Sequence, residues 1–216
     1  MNLQDKFDDY KRLRLAAKDL WTEVFGKAER VYLVNAAKTL GIWEEPDQLL
    51  VEDEYEFDLF TEFYLFNFKI EGETPVEIYT KHYTPDDKDQ KLALESGVNS
   101  KSSLFLVKTV KPDERSIFVI DLLDSKQEYE FMDFTMSQDP YIKGGLLFTR
   151  ILPFSRLNML TGSTMPFPPT FFRKYRKLYA ALSRKYRTKD QEIKKFQIFW
   201  HLYLEYGLPM RYEDLG

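Results

Sequence analysis

Four carboxylates near the middle of the chain come closest to a catalytic or metal-binding set: Asp121, Asp124, Glu128 and Glu130. They flank a predicted strand–turn–strand, where facing carboxylates could share a cation or work as acid and base. However, Asp124 and Ser125 are typical of an ordinary turn, and acids that alternate along a strand usually mark its solvent-exposed face. An enzyme or metal-binding protein that uses the carboxylates near Asp121 is therefore the second alternative function.

No other residues form a recognisable catalytic motif. The two histidines, His82 and His201, are far apart in sequence, and each is interpreted as structural. The absence of cysteine excludes disulfides, thiolate metal ligands and cysteine nucleophiles. Gly144 and Gly145 precede a predicted strand, whereas a phosphate-binding loop leads into a helix N-terminus. We therefore expect no enzymatic activity, no cofactor and no metal.

Charge is strongly segregated along the chain. Residues 44–62 contain acids but no Lys or Arg, and residues 171–189 contain Lys and Arg but no acid. The two segments could pair with each other, remain solvated, or bind separate partners. The candidate binding residues are the cations of the second segment: Arg173, Lys174, Arg176, Lys177, Arg184, Lys185 and Arg187.

These cations could neutralise the phosphates of a nucleic acid or meet an anionic membrane surface or an acidic protein. The interleaved Tyr175, Tyr179 and Tyr186 could offer stacking surfaces for bases. The same tyrosines lie on the face of the predicted helix that we expect to be buried, which weakens the stacking interpretation.

Periodicity predicts the elements that position these residues. In the N-terminal part, apolar residues recur at three- and four-residue steps, and Gly41 supplies a left-handed stop. Thr74 and Thr84 each precede a proline and can cap a short helix. The aromatic stretch around Phe57, Phe60, Tyr64 and Phe66 is ambiguous, because its spacing fits a helix as far as about Tyr64 whereas residues 63–70 have the composition of a strand. The predicted helices are about 7–24, 28–40, 75–82 and 85–96.

After Ser100 the period changes to two, which predicts short strands separated by turns. Residues 165–169 are interpreted as an extended exit from the sheet, after which Thr170 and Asp190 cap two C-terminal helices. The predicted strands are 103–107, 117–120, 128–131, 146–152 and 157–160.

These elements predict an α+β fold. A helical portion at 1–99 precedes a small antiparallel sheet or barrel of about five strands at 100–165. Two helices within 166–216 pack on the same core, so the whole chain is expected to form one domain.

The middle of the chain, about residues 55–170, resembles an uncharacterised prokaryotic domain family, some members of which occur in proteins with a SEC-C zinc-binding motif. The family pattern usually has Gly-Asp where this chain has Gly144-Gly145, and the SEC-C motif needs cysteines, so it is absent here. The resemblance implies a compact module that contains β-structure, and it supplies no catalytic residues. The matching segments are 63–68, 72–75, 102–107, 121–123 and 144–153, followed by Gly162 and the prolines after it.

Composition favours a soluble binding protein. The chain has 16% aromatic residues, enough for a core of bulky rings or for a ring-lined groove. The N-terminus lacks the apolar run of a signal peptide, and no apolar stretch is long enough to span a bilayer, so we expect a cytoplasmic location. The leading hypothesis is a non-enzymatic binding or adaptor protein with a protein partner. The first alternative is nucleic-acid binding through the basic helix.

Overall fold

The computed structural model describes residues 2–124 and 126–209. The described residues form seven α-helices and seven strands, with short 3-10 helices at Met136–Gln138, Pro140–Ile142 and Pro169–Arg173. The helices are α1 Leu3–Gly26, α2 Arg30–Leu40, α3 Glu54–Phe66, α4 Pro75–His82, α5 Lys88–Val98, α6 Tyr175–Lys185 and α7 Gln191–Tyr206. The strands are β1 Trp43–Glu44, β2 Gln48–Leu49, β3 Lys101–Lys111, β4 Ser116–Asp121, β5 Glu128–Met132, β6 Leu146–Pro153 and β7 Asn158–Phe167. The predicted α+β class is confirmed.

Local capping explains where most helices begin. The side chain of Asn2 accepts from Asp5 N at 2.8 Å at the start of α1, and Asp53 accepts from Glu56 N at 2.8 Å before α3. Thr74 caps α4 with Pro75 at its first position, as predicted, and Glu77 completes a reciprocal capping box. Asp190 caps α7 through two backbone N–H groups, which was also predicted.

Two predicted helix starts are wrong. Thr84 is not a cap: α5 begins at Lys88, because Asp87 accepts from the N–H groups of both Asp89 and Gln90. Thr170 lies inside the 3-10 turn Pro169–Arg173, and α6 begins only at Tyr175. A carboxylate that reaches two free N–H groups is the stronger cap at the first site.

Five strands close into a barrel in the order β3-β4-β5-β7-β6. All neighbouring pairs are antiparallel except β5 and β7, which run parallel and are in register at Met132 and Met159. One cluster of buried side chains fills the barrel interior: Phe105, Val107, Ile117, Val119, Phe131, Leu147, Ile151 and Leu160. The predicted small barrel of about five strands is therefore observed.

Strand β6 is buried on both faces, which explains its continuous apolar sequence. Leu147 and Ile151 point into the barrel, whereas Leu146, Phe148 and Leu152 belong to the core that the helices share. The ring of Phe148 stacks on Phe199 of α7, with 4.3 Å between centroids. Strand β6 thus joins the two cores of the molecule.

Strand β7 is longer than predicted. It continues past Gly162 to Phe167, through a register shift opposite Arg150. Gly162 has a φ of +116°, and a Cβ there would lie 2.5 Å from Nη2 of Arg14, so this position needs glycine. Pro166 lies within the strand because its missing N–H is needed by no partner there, while its carbonyl accepts from Leu208 N at 2.9 Å.

Two further segments differ from the sequence-based expectation. The ambiguous aromatic stretch is helical as far as Phe66, so the helical alternative is confirmed and the strand alternative for residues 63–70 is wrong. Residues 47–51, interpreted from the sequence as a connector, contain strand β2, which pairs with β1 in a two-stranded sheet with Trp43 opposite Leu49. Strands of two residues are too short to show a period, and burial of both faces of α3 hides its helical period.

A buried ion pair fastens the helices to the barrel. Arg150, on the outer face of β6, is 4% exposed, and Glu62 of α3 is 6% exposed. Arg150 Nε donates to Glu62 Oε1 at 2.7 Å, Nη2 to Asn67 Oδ1 at 2.8 Å, and Nη1 to Ser100 Oγ at 3.1 Å. Its guanidinium also lies 4.8 Å from the ring centroid of Phe66. Burial raises the pKa of Glu62, and the charge of Arg150 opposes that rise.

Arg150→Met should lower the free energy of unfolding by about 3–5 kcal/mol near neutral pH, because it leaves the Glu62 carboxylate buried without its cation. The double variant Arg150→Met/Glu62→Leu should recover most of this loss, since no buried charge remains. Urea unfolding of the wild type and both variants measures the difference. A double variant no more stable than Arg150→Met would show that packing, and not the stranded charge, causes the loss.

The loss in Arg150→Met should also shrink as the pH falls. Removing Arg150 raises the pKa of folded Glu62 further above its unfolded value, so the folded state binds the proton more tightly. The free energy of unfolding of Arg150→Met is then lowest above the pKa of folded Glu62. It rises again as the pH falls toward the ordinary pKa of a glutamate. Urea unfolding at about pH 7 and about pH 5 tests this sign, and a loss that grows on acidification would contradict it.

Candidate functional site

The predicted basic helix is anchored by the face that we expected to be buried. Tyr175 is 2% exposed, and Leu178, Tyr179, Leu182 and Tyr186 are half-buried against the helical core. The ring of Tyr179 lies 5.6 Å from that of Phe199 in α7, centroid to centroid. This packing fixes which side of α6 faces solvent.

All seven predicted binding cations are exposed. We call them the basic surface: Arg173, Lys174, Arg176, Lys177, Arg184, Lys185 and Arg187. Arg176 Nε donates to the Tyr175 hydroxyl at 3.1 Å, and Arg184 Nε donates to the Ala180 carbonyl at 3.2 Å. Lys174 Nζ lies 3.7 Å from the ring centroid of Tyr206. Across residues 2–124 and 126–209, no ion pair involves a member of the basic surface.

The acidic segment 44–62 finds cations elsewhere. Glu45 pairs with Lys38 at 2.5 Å, and Asp47 pairs with Arg30. Glu62 is held by Arg150. In the part of the chain that the structure describes, no ion pair therefore joins this segment to α6, and internal neutralisation does not account for the basic surface.

The tyrosines of α6 do not form a stacking platform. Burial raises the pKa of Tyr179 and Tyr186, consistent with rings held against the protein. Tyr175 is fully covered. Sequence analysis missed the apolar group beside the basic surface, Phe172, which is 43% exposed. One aromatic residue next to several cations forms no periodic pattern, so the sequence did not predict that Phe172 would be exposed.

Leu208, which follows α7, is also 42% exposed. The ring of Phe171 is 5.7 Å from that of Tyr206, so the end of α7 contacts the 3-10 turn that precedes α6. Phe172 directly precedes Arg173 in the chain, so the basic surface has an exposed aromatic ring beside its cations, and Arg and aromatic groups are common together at protein interfaces.

The structure separates the carboxylates near Asp121. Asp121 is fully buried at one end of the barrel, whereas Glu128 and Glu130 lie on the outer face of β5, opposite Ile120 and Phe118 of β4. Within the described residues, no three His, Asp or Glu side chains are grouped so that they could hold a metal ion. The predicted strand–turn–strand is present, but it places Glu128 and Glu130 on a different face from Asp121, and only Asp124 lies beside Asp121.

Asp121 instead holds the turn after β4. One carboxylate oxygen accepts the Ser103 hydroxyl and the N–H groups of Leu123 and Asp124, both at 3.0 Å. The other oxygen lies 3.4 Å from Lys101 Nζ, which is also 3.1 Å from Asp124. Through these contacts the Asp121 carboxylate stabilises the turn at one end of the barrel.

Lys101 remains charged in this setting. Partial burial tends to lower the pKa of its ammonium, but the contacts with Tyr129, Asp124 and Asp121 outweigh burial and raise the pKa above its ordinary value. Its ammonium also lies 4.8 Å from the ring centroid of Tyr129. The buried carboxylate of Asp121 is therefore compensated by a nearby cation.

The two histidines lie in separate elements. His82 is the last residue of α4 and is exposed, and His201 is half-buried within α7. Among the described residues, neither histidine makes a hydrogen bond or ion pair with a carboxylate, as a catalytic triad would require.

The chain matches one protein family over residues 4–213, described as a family of unknown function (DUF7986). The chain belongs to this family. Comparisons with curated proteins and with solved structures found no match. Membership of an uncharacterised domain family is thus confirmed, and the function has to be argued from the residues themselves. No helix in the described part of the chain is both long and apolar enough to cross a membrane.

Asp121→Asn should lower the free energy of unfolding by roughly 1–3 kcal/mol, because an amide replaces the carboxylate that faces Lys101 and accepts two backbone N–H groups. Urea unfolding measures the loss. Millimolar Mg²⁺ or Ca²⁺ should leave the melting temperature of the wild type unchanged. A metal-dependent stabilisation of the wild type that Asp121→Asn abolishes would restore the metal-binding alternative.

Proposed function

We propose that this protein is a non-enzymatic binding protein whose basic surface recognises an acidic segment of a protein partner. The observation that carries the proposal is that these cations are exposed and lack ion pairs among the described residues. Like charges one helical turn apart repel one another, and carboxylates from a partner would relieve that repulsion.

Three features favour a protein over a nucleic acid. Tyr175 is covered, and Tyr179 and Tyr186 are half-buried against the helical core, so these rings offer little free face on which bases could stack. The chain carries a formal net charge of −4, which repels a long polyanion that extends beyond α6. Phe172, next to Arg173 in the chain, provides an exposed apolar contact beside the cations, which suits a folded or helical partner better than a phosphate backbone.

The proposal includes a cytoplasmic location in a prokaryotic cell. The absence of cysteine suits a reducing compartment, and the resemblance of residues 55–170 to prokaryotic domains found with SEC-C motifs supports that origin. An interaction module beside other domains would be in keeping with a binding role.

A charge-matched pair of variants tests the proposal. The test variant carries Arg176→Gln, Lys177→Gln, Arg184→Gln and Lys185→Gln. The control variant carries Lys18→Gln, Lys91→Gln, Lys108→Gln and Lys143→Gln, all exposed and outside α6. Both lose the same charge, so any difference between them reports position on the surface and not net charge.

The probe is a fluorescently labelled polyglutamate peptide, and its binding is measured by fluorescence anisotropy beside a single-stranded RNA oligonucleotide of similar length. We expect the wild type to bind the peptide more tightly than the RNA. The test variant should lose roughly tenfold in affinity, and the control variant less than about threefold. Tighter binding of the RNA, with a steep salt dependence and the same loss in the test variant, would favour nucleic-acid binding. Equal losses of affinity in the test and control variants would show that binding depends on net charge, and would reject a specific site on the basic surface.

A further inference from the structure

A cleft lined by four tyrosines lies among the helices, and no residue of the basic surface lines it. Tyr32 of α2, Tyr64 of α3, Tyr79 of α4 and Tyr83 after α4 surround a volume of about 620 Å³. That volume is within the range of small-molecule sites. Sequence analysis did not predict the cleft, because its tyrosines come from three helices.

One end of the cleft already holds an ammonium group of the protein itself. Lys27 Nζ lies 4.8 Å from the ring centroid of Tyr79 and 5.1 Å from that of Tyr83. The same ammonium donates to Glu23 Oε1 at 2.6 Å, and the Tyr79 hydroxyl donates to that oxygen at 2.8 Å. Aromatic faces with a carboxylate behind them are thus arranged here around a cation.

The remainder of the cleft has the same kinds of groups without a cation. Glu29 and Glu71 line it, and neither has an ion-pair partner among residues 2–124 and 126–209. Glu73 also lines the cleft but is paired with Lys81. A two-residue turn fixes Glu71 at the rim, since Ile70 and Glu73 exchange backbone hydrogen bonds and Glu71 has a φ of 53°.

Tyr64 supplies an unpartnered polar group in this part of the cleft. It is only 2% exposed, and its ring is packed 5.7 Å from Phe25 and 6.1 Å from Phe68, centroid to centroid. In the described part of the chain, its hydroxyl has no hydrogen-bond partner. Because the ring is held on its sides, the hydroxyl is the part of Tyr64 that a ligand in the cleft would meet.

The Tyr64 hydroxyl is neutral near physiological pH. Burial, followed by the nearby Glu29 and Tyr32, raises its pKa to about 12. A neutral phenol oxygen accepts a hydrogen bond from a cationic donor, and the negative charge of Glu29 favours a positive ligand beside it.

We infer that the tyrosine cleft binds an organic ammonium group on a short aliphatic chain. The Glu29 carboxylate and the Tyr64 hydroxyl accept from the ammonium, and Ile70 and Ile78 line the path of the aliphatic chain. This chemistry belongs equally to a free aliphatic amine and to the lysine side chain of a peptide. The inference goes beyond the proposed function and uses no residue of the basic surface, so either can fail without the other.

Two probes distinguish the two sources of the ammonium. Pentylammonium represents a free amine, and Nα-acetyl-lysine N-methylamide represents a lysine side chain within a chain. The uncharged 1-pentanol is the control for hydrophobic binding alone. Titrations followed by NMR chemical shifts should show saturable binding of one or both cations, with a dissociation constant on the order of 1 mM. If only one of the two cations saturates, that result shows whether the cleft takes a free amine or a lysine side chain.

Variants then locate the site. Glu29→Gln should weaken binding about fivefold or more, and Tyr64→Phe about threefold, because each removes one acceptor for the ammonium. Glu44→Gln removes the same charge as Glu29→Gln from an exposed position in β1 and should change affinity less than about twofold. Circular dichroism checks that each variant is folded.

The inference is overturned if neither cation saturates, or if 1-pentanol binds as tightly as pentylammonium. Equal weakening by Glu44→Gln and Glu29→Gln would also overturn it, because the attraction would then come from net charge alone. Unchanged affinity in both Glu29→Gln and Tyr64→Phe would exclude the cleft as the site.

Discussion

The buried guanidinium of Arg150 is the contact on which the rest of the structure depends. From the outer face of β6 it reaches Glu62 and Asn67 at the end of α3, and Ser100 before β3. A buried charge is costly unless its partners are all in place. The barrel and the helices therefore have one favoured arrangement, and that arrangement decides which faces of the sheet are covered.

The placement of charge follows from this arrangement. Strand β6 carries α7 against its outer face through Phe148 and Phe199, and α6 packs in turn on α7 through Tyr179. Helix α6 is consequently the outer layer of this stack, with its cations directed to solvent. Within residues 44–62, Glu45 and Asp47 pair with cations of α2 and Glu62 pairs with Arg150 of β6, so the two charge-rich segments differ in how far they are neutralised.

Local rules predicted the elements well where one interaction dominates. Thr74 and Asp190 were recognised as caps, and the alternation of β5 and the uninterrupted apolar run of β6 were recognised as strands. Predictions failed where residues outside the local pattern determine the structure. At Thr84 a better cap follows three residues later, and the part of β7 beyond Gly162 becomes a strand because β6 offers it a partner.

The sequence by itself determined the α+β class, most helix and strand positions, and the amphipathic character of α6, because capping and hydrophobic periodicity act between residues close in the chain. Only the tertiary structure decided that Asp121 holds a turn, that Glu62 pairs with Arg150, and that the basic surface makes no ion pair with the other described residues. It alone also brought Tyr64 and Glu29 to one cleft. Contacts between residues so distant in sequence depend on how the elements pack, and no local pattern records that.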